Sequence, residues 1–295
     1  MAPQLKTKTP GVKGVERVVD REVGKAVDAL DNGKPLSDEA VHGARKRLKR
    51  ARAALRLMRV ALGNRVYRRE NRALRDAARP LSEARDSKVL VDTLDSLDLD
   101  GAVAARALRA VLVEKRQAIQ RKLQNPKRIA SVLGEMRSAR RRVDRAKAQG
   151  HGWSAIGPGL RRTYRAARRA FAAARLDPTP ERLHEWRKQT KYWWHILEML
   201  EPIDPVPLRA RARRVHRLSD QLGEDHDLVV LRDTASRSSD PATRGIALEK
   251  IDRRRLNLQK RAMALGAVIY RERPKTLERR LQRRWRAWRS DPSKG

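Results

Sequence analysis

The sequence predicts an all-α fold, and three observations carry that expectation. Apolar residues recur at alternating spacings of three and four along almost every long segment. No segment sustains the strict alternation of a half-buried strand. The breaks fall on turn-forming residues: Asn32-Gly33-Lys34-Pro35, Gly63-Asn64, Asn125-Pro126, Asp177-Pro178-Thr179-Pro180, and Glu201-Pro202 through Pro207.

Taken in order, helices are expected over residues 12–31, 37–62, 67–79, 85–97, 101–124 and 126–149. They resume over 158–176, 180–201, 207–222, 225–236, 241–271 and 274–290. In the second helix Val41, Ala44, Leu48, Ala51, Leu55, Met58 and Leu62 form one apolar stripe. Asp38 and Glu39 suit its first turn, where acids complement the helix dipole. Trp186, Trp193 and Trp194 lie on or beside the apolar stripe of their helix, which assigns them to the core. Trp285 and Trp288, among the arginines of 283–289, read as an amphipathic cap on the bundle. Residues 1–11 read as a disordered N-terminal tail with no apolar signal-peptide core. The segment 149–159, with four glycines and a proline, is the expected boundary between a first bundle (12–149) and a second (158–290).

A repeated motif supports that division. His42-Gly43-Ala44-Arg45-Lys46-Arg47-Leu48-Lys49 returns as His184-Glu185-Trp186-Arg187-Lys188-Gln189-Thr190-Lys191, each reading H-x-x-R-K-x-x-K. A second block, Leu81 to Leu90, returns as Leu222 to Leu231. Between them Tyr67, Leu74 and Ala77 correspond to Leu208, Val215 and Leu218. Three blocks in one order predict two four-helix-type bundles related by an internal pseudo-twofold repeat.

Composition narrows the function. Among 295 residues, 71 Lys and Arg face 35 Asp and Glu, a formal net charge of +36. Such a surplus favours a polyanionic partner: nucleic acid, anionic lipid or a phosphate polymer. Hydrophobic residues make up 40% and are periodic, which argues for a real core and against a basic disordered tail. Without cysteine there is no disulfide, thiolate metal site or thiol nucleophile. No run of about 20 apolar residues exists, so no transmembrane segment is expected and a cytoplasmic location is the plain reading.

The charges are ordered. Beside the apolar stripe of the second helix run His42, Arg45, Lys49, Arg52, Arg56 and Arg59, a line of about 25 Å with no acid in it. The next helix repeats the design with Arg68, Arg72, Arg75 and Arg79. Two such helices side by side would line a trough with guanidinium groups, which bind phosphate oxygens bidentately. The second half is thinner. His184, Arg187 and Lys191 keep the stripe, but Trp194, Glu198 and Glu201 stand where Arg52, Arg56 and Arg59 stood. Arg209 and Arg213 persist, while His216 and Asp220 replace Arg75 and Arg79. The first half is therefore expected to carry more of the anion contact, unless Arg161, Arg162, Arg165, Arg168 and Arg169 compensate.

These residues resemble the CHAD domain family, a conserved-histidine α-helical domain. Its H-x-x-R motif matches His42/Arg45 and His184/Arg187. Its leucine-then-R-D element matches Leu81…Arg85-Asp86…Leu90 and Leu222-Gly223…Asp227…Leu231. Gly159-Leu160-Arg161-Arg162-Thr163-Tyr164-Arg165 looks like the opening of its second half. The resemblance covers roughly residues 12–290. It implies two four-helix bundles that bind inorganic polyphosphate in a basic central channel and associate with polyphosphate granules. By motif it implies contacts from His42, Arg45, Lys46, Lys49, His184, Arg187, Lys188 and Lys191. Two positions depart from the pattern: His226 stands in the arginine place of R-D, and Ala84 precedes Arg85. The E-x-E-x-K signature of the CYTH triphosphatase domain often fused to the family is absent, which suggests a stand-alone protein.

Binding outweighs chemistry in this reading. No metal-ligand spacing surrounds His42 or His184, and no cofactor is implied. The dense acidic cluster Glu224-Asp225-His226-Asp227 reads as a helix N-terminus. A histidine beside phosphates should donate a hydrogen bond and gain basicity there, so binding is expected to strengthen as pH falls toward 6. The polyphosphate contacts expected overall are His42, Arg45, Lys46, Lys49, Arg52, Arg56, Arg72, Arg75, Arg79, His184, Arg187, Lys188, Lys191, Arg209 and Arg213. A sequence-independent nucleic-acid binder is the second reading, and an accessory of an enzyme acting on polyphosphate or triphosphate the third.

Overall fold

The apolar stripes read from the sequence become helices whose buried faces meet in one core. A computed structural model describes residues 3–7, 11–33, 35–97, 103–237 and 241–291, the side chains of 103–105 and 241–243 excepted. Among them are ten α-helices and no strand: α1 (Val12–Leu30), α2 (Asp38–Leu57), α3 (Arg59–Asp95), α4 (Val103–Leu123) and α5 (Pro126–Asp144). There follow α6 (Gly152–Leu176), α7 (Pro180–Leu200), α8 (Pro205–Ala235), α9 (Pro241–Ile269) and α10 (Pro274–Ser290). The all-α expectation holds.

Local chemistry sets several starts. Ser37 caps α2, its Oγ accepting the Ala40 N–H at 3.1 Å, with Asp38 and Glu39 in the first turn. Asn125 caps α5 by accepting the Lys127 N–H at 3.0 Å. Thr179 caps α7 through the Arg182 N–H at 3.4 Å.

Helices α1, α2, α3 and α5 pack on one another; α6 packs on α7, α7 on α8, and α10 on α6. Between the groups, α2 meets both α6 and α7, and α3 meets α6 and α8. One apolar cluster runs through both, from Val15 and Val19 past Leu48 and Leu55 to Trp186, Trp193 and Leu218. A second cluster joins the far ends of α3 and α8 to α4 and α9 through Leu90, Leu94, Leu112, Leu228, Leu231 and Ile251. At the crossing of α6 on α2, Gly159 lies against the Leu57 carbonyl, and any side chain there would collide with it.

The structure departs from expectation where burial overrides local breakers. The helices expected over 67–79 and 85–97 are one helix, α3, with Pro80 inside it. Leu74, Ala77, Leu81 and Ala84 are buried on either side, which outweighs the hydrogen bond that proline forfeits. The Gly63-Asn64 break survives as a kink, Gly63 adopting φ 75°. The helices expected over 207–222 and 225–236 are likewise one, α8. The acidic cluster therefore sits in mid-helix and not at an N-terminus. Two of its acids meet α9 instead: Arg254 Nε donates to Glu224 at 2.6 Å, and Arg255 and Gln259 donate to buried Asp225 at 3.2 and 2.9 Å. Helix α6 begins at Gly152, ahead of Pro158, because Trp153, Ala155 and Ile156 are buried. In the segment read as a loose tail, Leu5 is buried and its N–H donates to the Met199 carbonyl at 3.0 Å, so residues 3–7 are anchored on α7. The helix start expected at 101, and residues 1–2 and 8–10 of the tail, lie outside the described residues.

The tryptophans fall as expected. Trp186 and Trp193 are fully buried and Trp194 partly so. Trp285 and Trp288 are buried beneath α10, with Trp153 and Trp285 ring centroids 5.8 Å apart.

Candidate functional site

The two copies of H-x-x-R-K-x-x-K lie on α2 and α7, which pack against each other. Their arginines and second lysines converge. The field of Lys191, Arg45 and Arg187 acts on Lys49, and that of Arg187 and Arg45 acts on Lys191. Burial is the first reason both ammonium groups lose basicity, and these neighbouring cations are the second. Lys49 is held well below the usual lysine value, and Lys191 is pushed down to about 8.

Carboxylates from α3 and α8 reach the same seam. Arg45 donates to Asp86 Oδ1 at 2.9 Å and, through Nε, to Ser82 Oγ at 3.1 Å. Ser82 and Asp86 are one turn apart on α3, so a single helix face holds the guanidinium. Asp227 and Asp220 on α8 support the charge of Lys191. Burial pushes the Asp227 carboxyl up, against Arg187 and Lys191, which pull it down. Arg187 lies against Gly223, and its buried Nε has no hydrogen-bond partner among the described residues.

The histidines frame the cluster. His184 and His226 face each other, Nδ1 to Nδ1 at 3.4 Å. Burial and then the neighbouring cations lower His42 and His184, and the same causes bring His226 to about 4. In the free chain all three are therefore neutral at pH 7. The gain in basicity expected beside phosphate has to come from the ligand.

Farther along α2, guanidiniums rest on neutral groups. Arg52 Nε donates to Asn71 Oδ1 at 3.1 Å, and Arg56 lies 3.7 Å from the centroid of the Tyr192 ring on α7. Arg59, the first residue of α3, donates to Asn64 Oδ1 at 2.9 Å and covers Tyr67. On α3, Arg75 and Arg79 share Asp76, at 3.0 and 3.4 Å, while Arg72 is exposed close to the same carboxylate. Lys46 is exposed beside His42, and Lys188 pairs with Glu185. Arg209 turns to Glu201 at 2.9 Å, toward the start of α8, and Arg213 is exposed. Of the expected contacts, the structure gathers Arg45, Lys49, Arg187 and Lys191 most closely. Arg161, named as a compensating cation, pairs with Glu278 at 3.0 Å, whereas Arg162 acts on Arg59. Arg165, Arg168 and Arg169 line a different cleft.

Sequence reasoning passed over Asp76, Asn71 and Tyr192, and weighed Asp86 and Asp227 only as parts of repeated blocks. The i, i+4 spacing of Ser82 and Asp86 was the available sign that they share a face.

The class this defines is an all-helical domain whose cations gather where two helical groups meet. Comparison with known families agrees: the CHAD domain model matches residues 21–236, and the chain belongs to that family. The family is known for binding polyphosphate and is generally a binding domain. PptA from Streptomyces chartreusis is similar in structure, with a TM-score of 0.65 at 15% identity over 89% of this chain and 100% of its own. The CHAD domain from the plant Ricinus communis is similar too, at TM-score 0.58 and 18% identity over 97% of this chain and 95% of its own. No match is found among curated proteins. No helix of the described residues is long and apolar enough to cross a membrane.

Proposed function

We propose that this protein binds inorganic polyphosphate, without chemical turnover, along the basic seam where α2, α3, α7 and α8 meet. The observation that carries the reading is the pair Lys49 and Lys191. Two poorly solvated ammonium groups from different helices lie in the field of Arg45 and Arg187, and that of Lys191 acts on Lys49. Like charges so placed cost the fold stability. A chain of closely spaced phosphates offsets that cost and makes charge-assisted hydrogen bonds to both walls. Histidines 42 and 184 stand at the rim as further donors, with Arg52 and Arg56 extending the path and Arg72, Arg75 and Arg79 beside it on α3, the field of Arg75 reaching Arg52. The role on polyphosphate granules that the family resemblance implies is part of this reading.

The test is competition at about 0.15 M salt between long-chain polyphosphate, duplex DNA and single-stranded RNA. Polyphosphate is expected to displace both nucleic acids at equal phosphate concentration. Duplex DNA competing as well per phosphate would make the protein a sequence-independent nucleic-acid binder. Lys49→Met with Lys191→Met separates site from scaffold: polyphosphate affinity is expected to fall about 100-fold while Tm rises. A fall in both would assign the lysines to structure.

A further inference from the structure

A second group of arginines lies outside the seam. Arg165, Arg168, Arg169 and Arg175 on α6, with Arg271 after α9, line a cleft of about 500 Å³. That is room for a small ligand. No carboxylate among the described residues lines it. None of these five arginines pairs with a carboxylate among the described residues, whereas cations nearby do: Arg211 and Arg280 share Glu272 at 2.9 and 3.1 Å, and Arg161 takes Glu278.

The cleft has a built floor. Phe171 and Tyr270, both buried, stack with centroids 5.5 Å apart, and Phe171 packs on Trp186 at 5.1 Å. Gly266 makes this possible, since a side chain there would collide with Phe171 and Trp186. The turn from α9 to α10 is pinned by hydrogen bonds to its carbonyls. Tyr164 Oη donates to Glu272 O at 2.9 Å, and Arg168 Nε donates to Tyr270 O at 2.9 Å. The Tyr270 hydroxyl meets Thr190 Oγ1 at 3.0 Å on α7, one residue before Lys191. The cleft and the seam thus abut different faces of α7.

We propose that this cleft is a second anion site, taking a compact oligophosphate group of about three or four negative charges. Five arginines line one concavity that supplies no counter-charge among the described residues, and Arg168 is fixed by its hydrogen bond to the Tyr270 carbonyl. A small anion with several oxygens satisfies several forks at once, as a single carboxylate does not. The group comes either from free oligophosphate or from a nucleoside triphosphate. The site stands whether or not the seam binds polyphosphate.

The experiment titrates the full chain carrying Lys49→Met and Lys191→Met with tripolyphosphate by calorimetry, at about 0.15 M salt. One equivalent is expected to bind. Adding Arg169→Glu with Arg271→Glu should weaken it at least about tenfold, and the exposed α10 pair Arg283→Glu with Arg286→Glu less than about twofold. No binding, or equal losses from the two pairs, overturns the proposal. In the unmodified chain, tripolyphosphate should protect Arg169 and Arg271 from phenylglyoxal, read by mass spectrometry; unchanged labelling overturns it even if a variant misfolds. A nucleoside triphosphate binding as tightly as tripolyphosphate supports recognition of the phosphates alone. Tighter nucleotide binding supports the nucleotide as the source.

Discussion

Along α2 and onto the first residue of α3 the cations continue past the repeated motif as Arg52, Arg56 and Arg59, each held by a neutral group: Asn71, the Tyr192 ring, Asn64. Along α7 and just past its end the corresponding places carry Trp194, Glu198 and Glu201. Glu198 takes Arg50 at 3.8 Å and buried His195 at 3.0 Å, and Glu201 takes Arg209. Amide and aromatic partners fix a guanidinium without cancelling its charge, whereas a carboxylate does both. Beyond the motif the first side is thus pre-organised and still cationic; on the second side carboxylates stand instead and take Arg50 of α2 and Arg209 of α8.

The largest expected break in this asymmetry comes from Arg52→Gln with Arg56→Gln. Polyphosphate affinity should fall about 30-fold, against less than about twofold for Arg209→Gln with Arg213→Gln. Equal losses, by calorimetry at one salt concentration, would erase the distinction between the walls.

A smaller effect separates the lysines by pH. Lys191 titrates at about 8 in the free chain, and a bound polyanion favours its charged form. The contribution of Lys191 to affinity should be full below pH 8 and fall about tenfold as pH climbs from 8 to 10. Stability of the free protein has the opposite sign. The folded amine at about 8 holds fewer protons than the unfolded amine at 10.5, so its contribution rises across that window. Lys191→Arg should flatten both trends in affinity and Tm. Profiles unchanged by that substitution would move the titration elsewhere.

The smallest effect sharpens the role of α8. Asp227→Asn removes a carboxylate from the seam, and polyphosphate binding at pH 7 should tighten about threefold. A loss of affinity would mean that Asp227 chiefly keeps Lys191 charged.

Much of this was legible in the sequence, for reasons that also mark where legibility stopped. Three-and-four spacing announces a buried helix face, so Val41 through Leu62 and the tryptophans of α7 could be placed. Pro80, Pro158 and the acidic cluster of α8 misled because burial of their neighbours outweighs a local break. Arg45, Lys49, Arg187 and Lys191 were readable because a motif repeats them. Their partners were not, since which face of α3 turns toward Arg45 is decided by packing at Leu74 and Leu81. Arg165, Arg168 and Arg169 were visible as a run, but their lack of acidic partners is a property of the folded surface.

At the crossing of α6 over α2 no side chain separates the two backbones, because position 159 has none to offer. That contact lies beside Arg56 and carries no charge, yet it works as a caliper. How closely α6 approaches α2 is set by a hydrogen atom where other residues have carbon. On the proposed reading, packing of α6 and α7 on α2 sets the reach across the seam before any cation takes part.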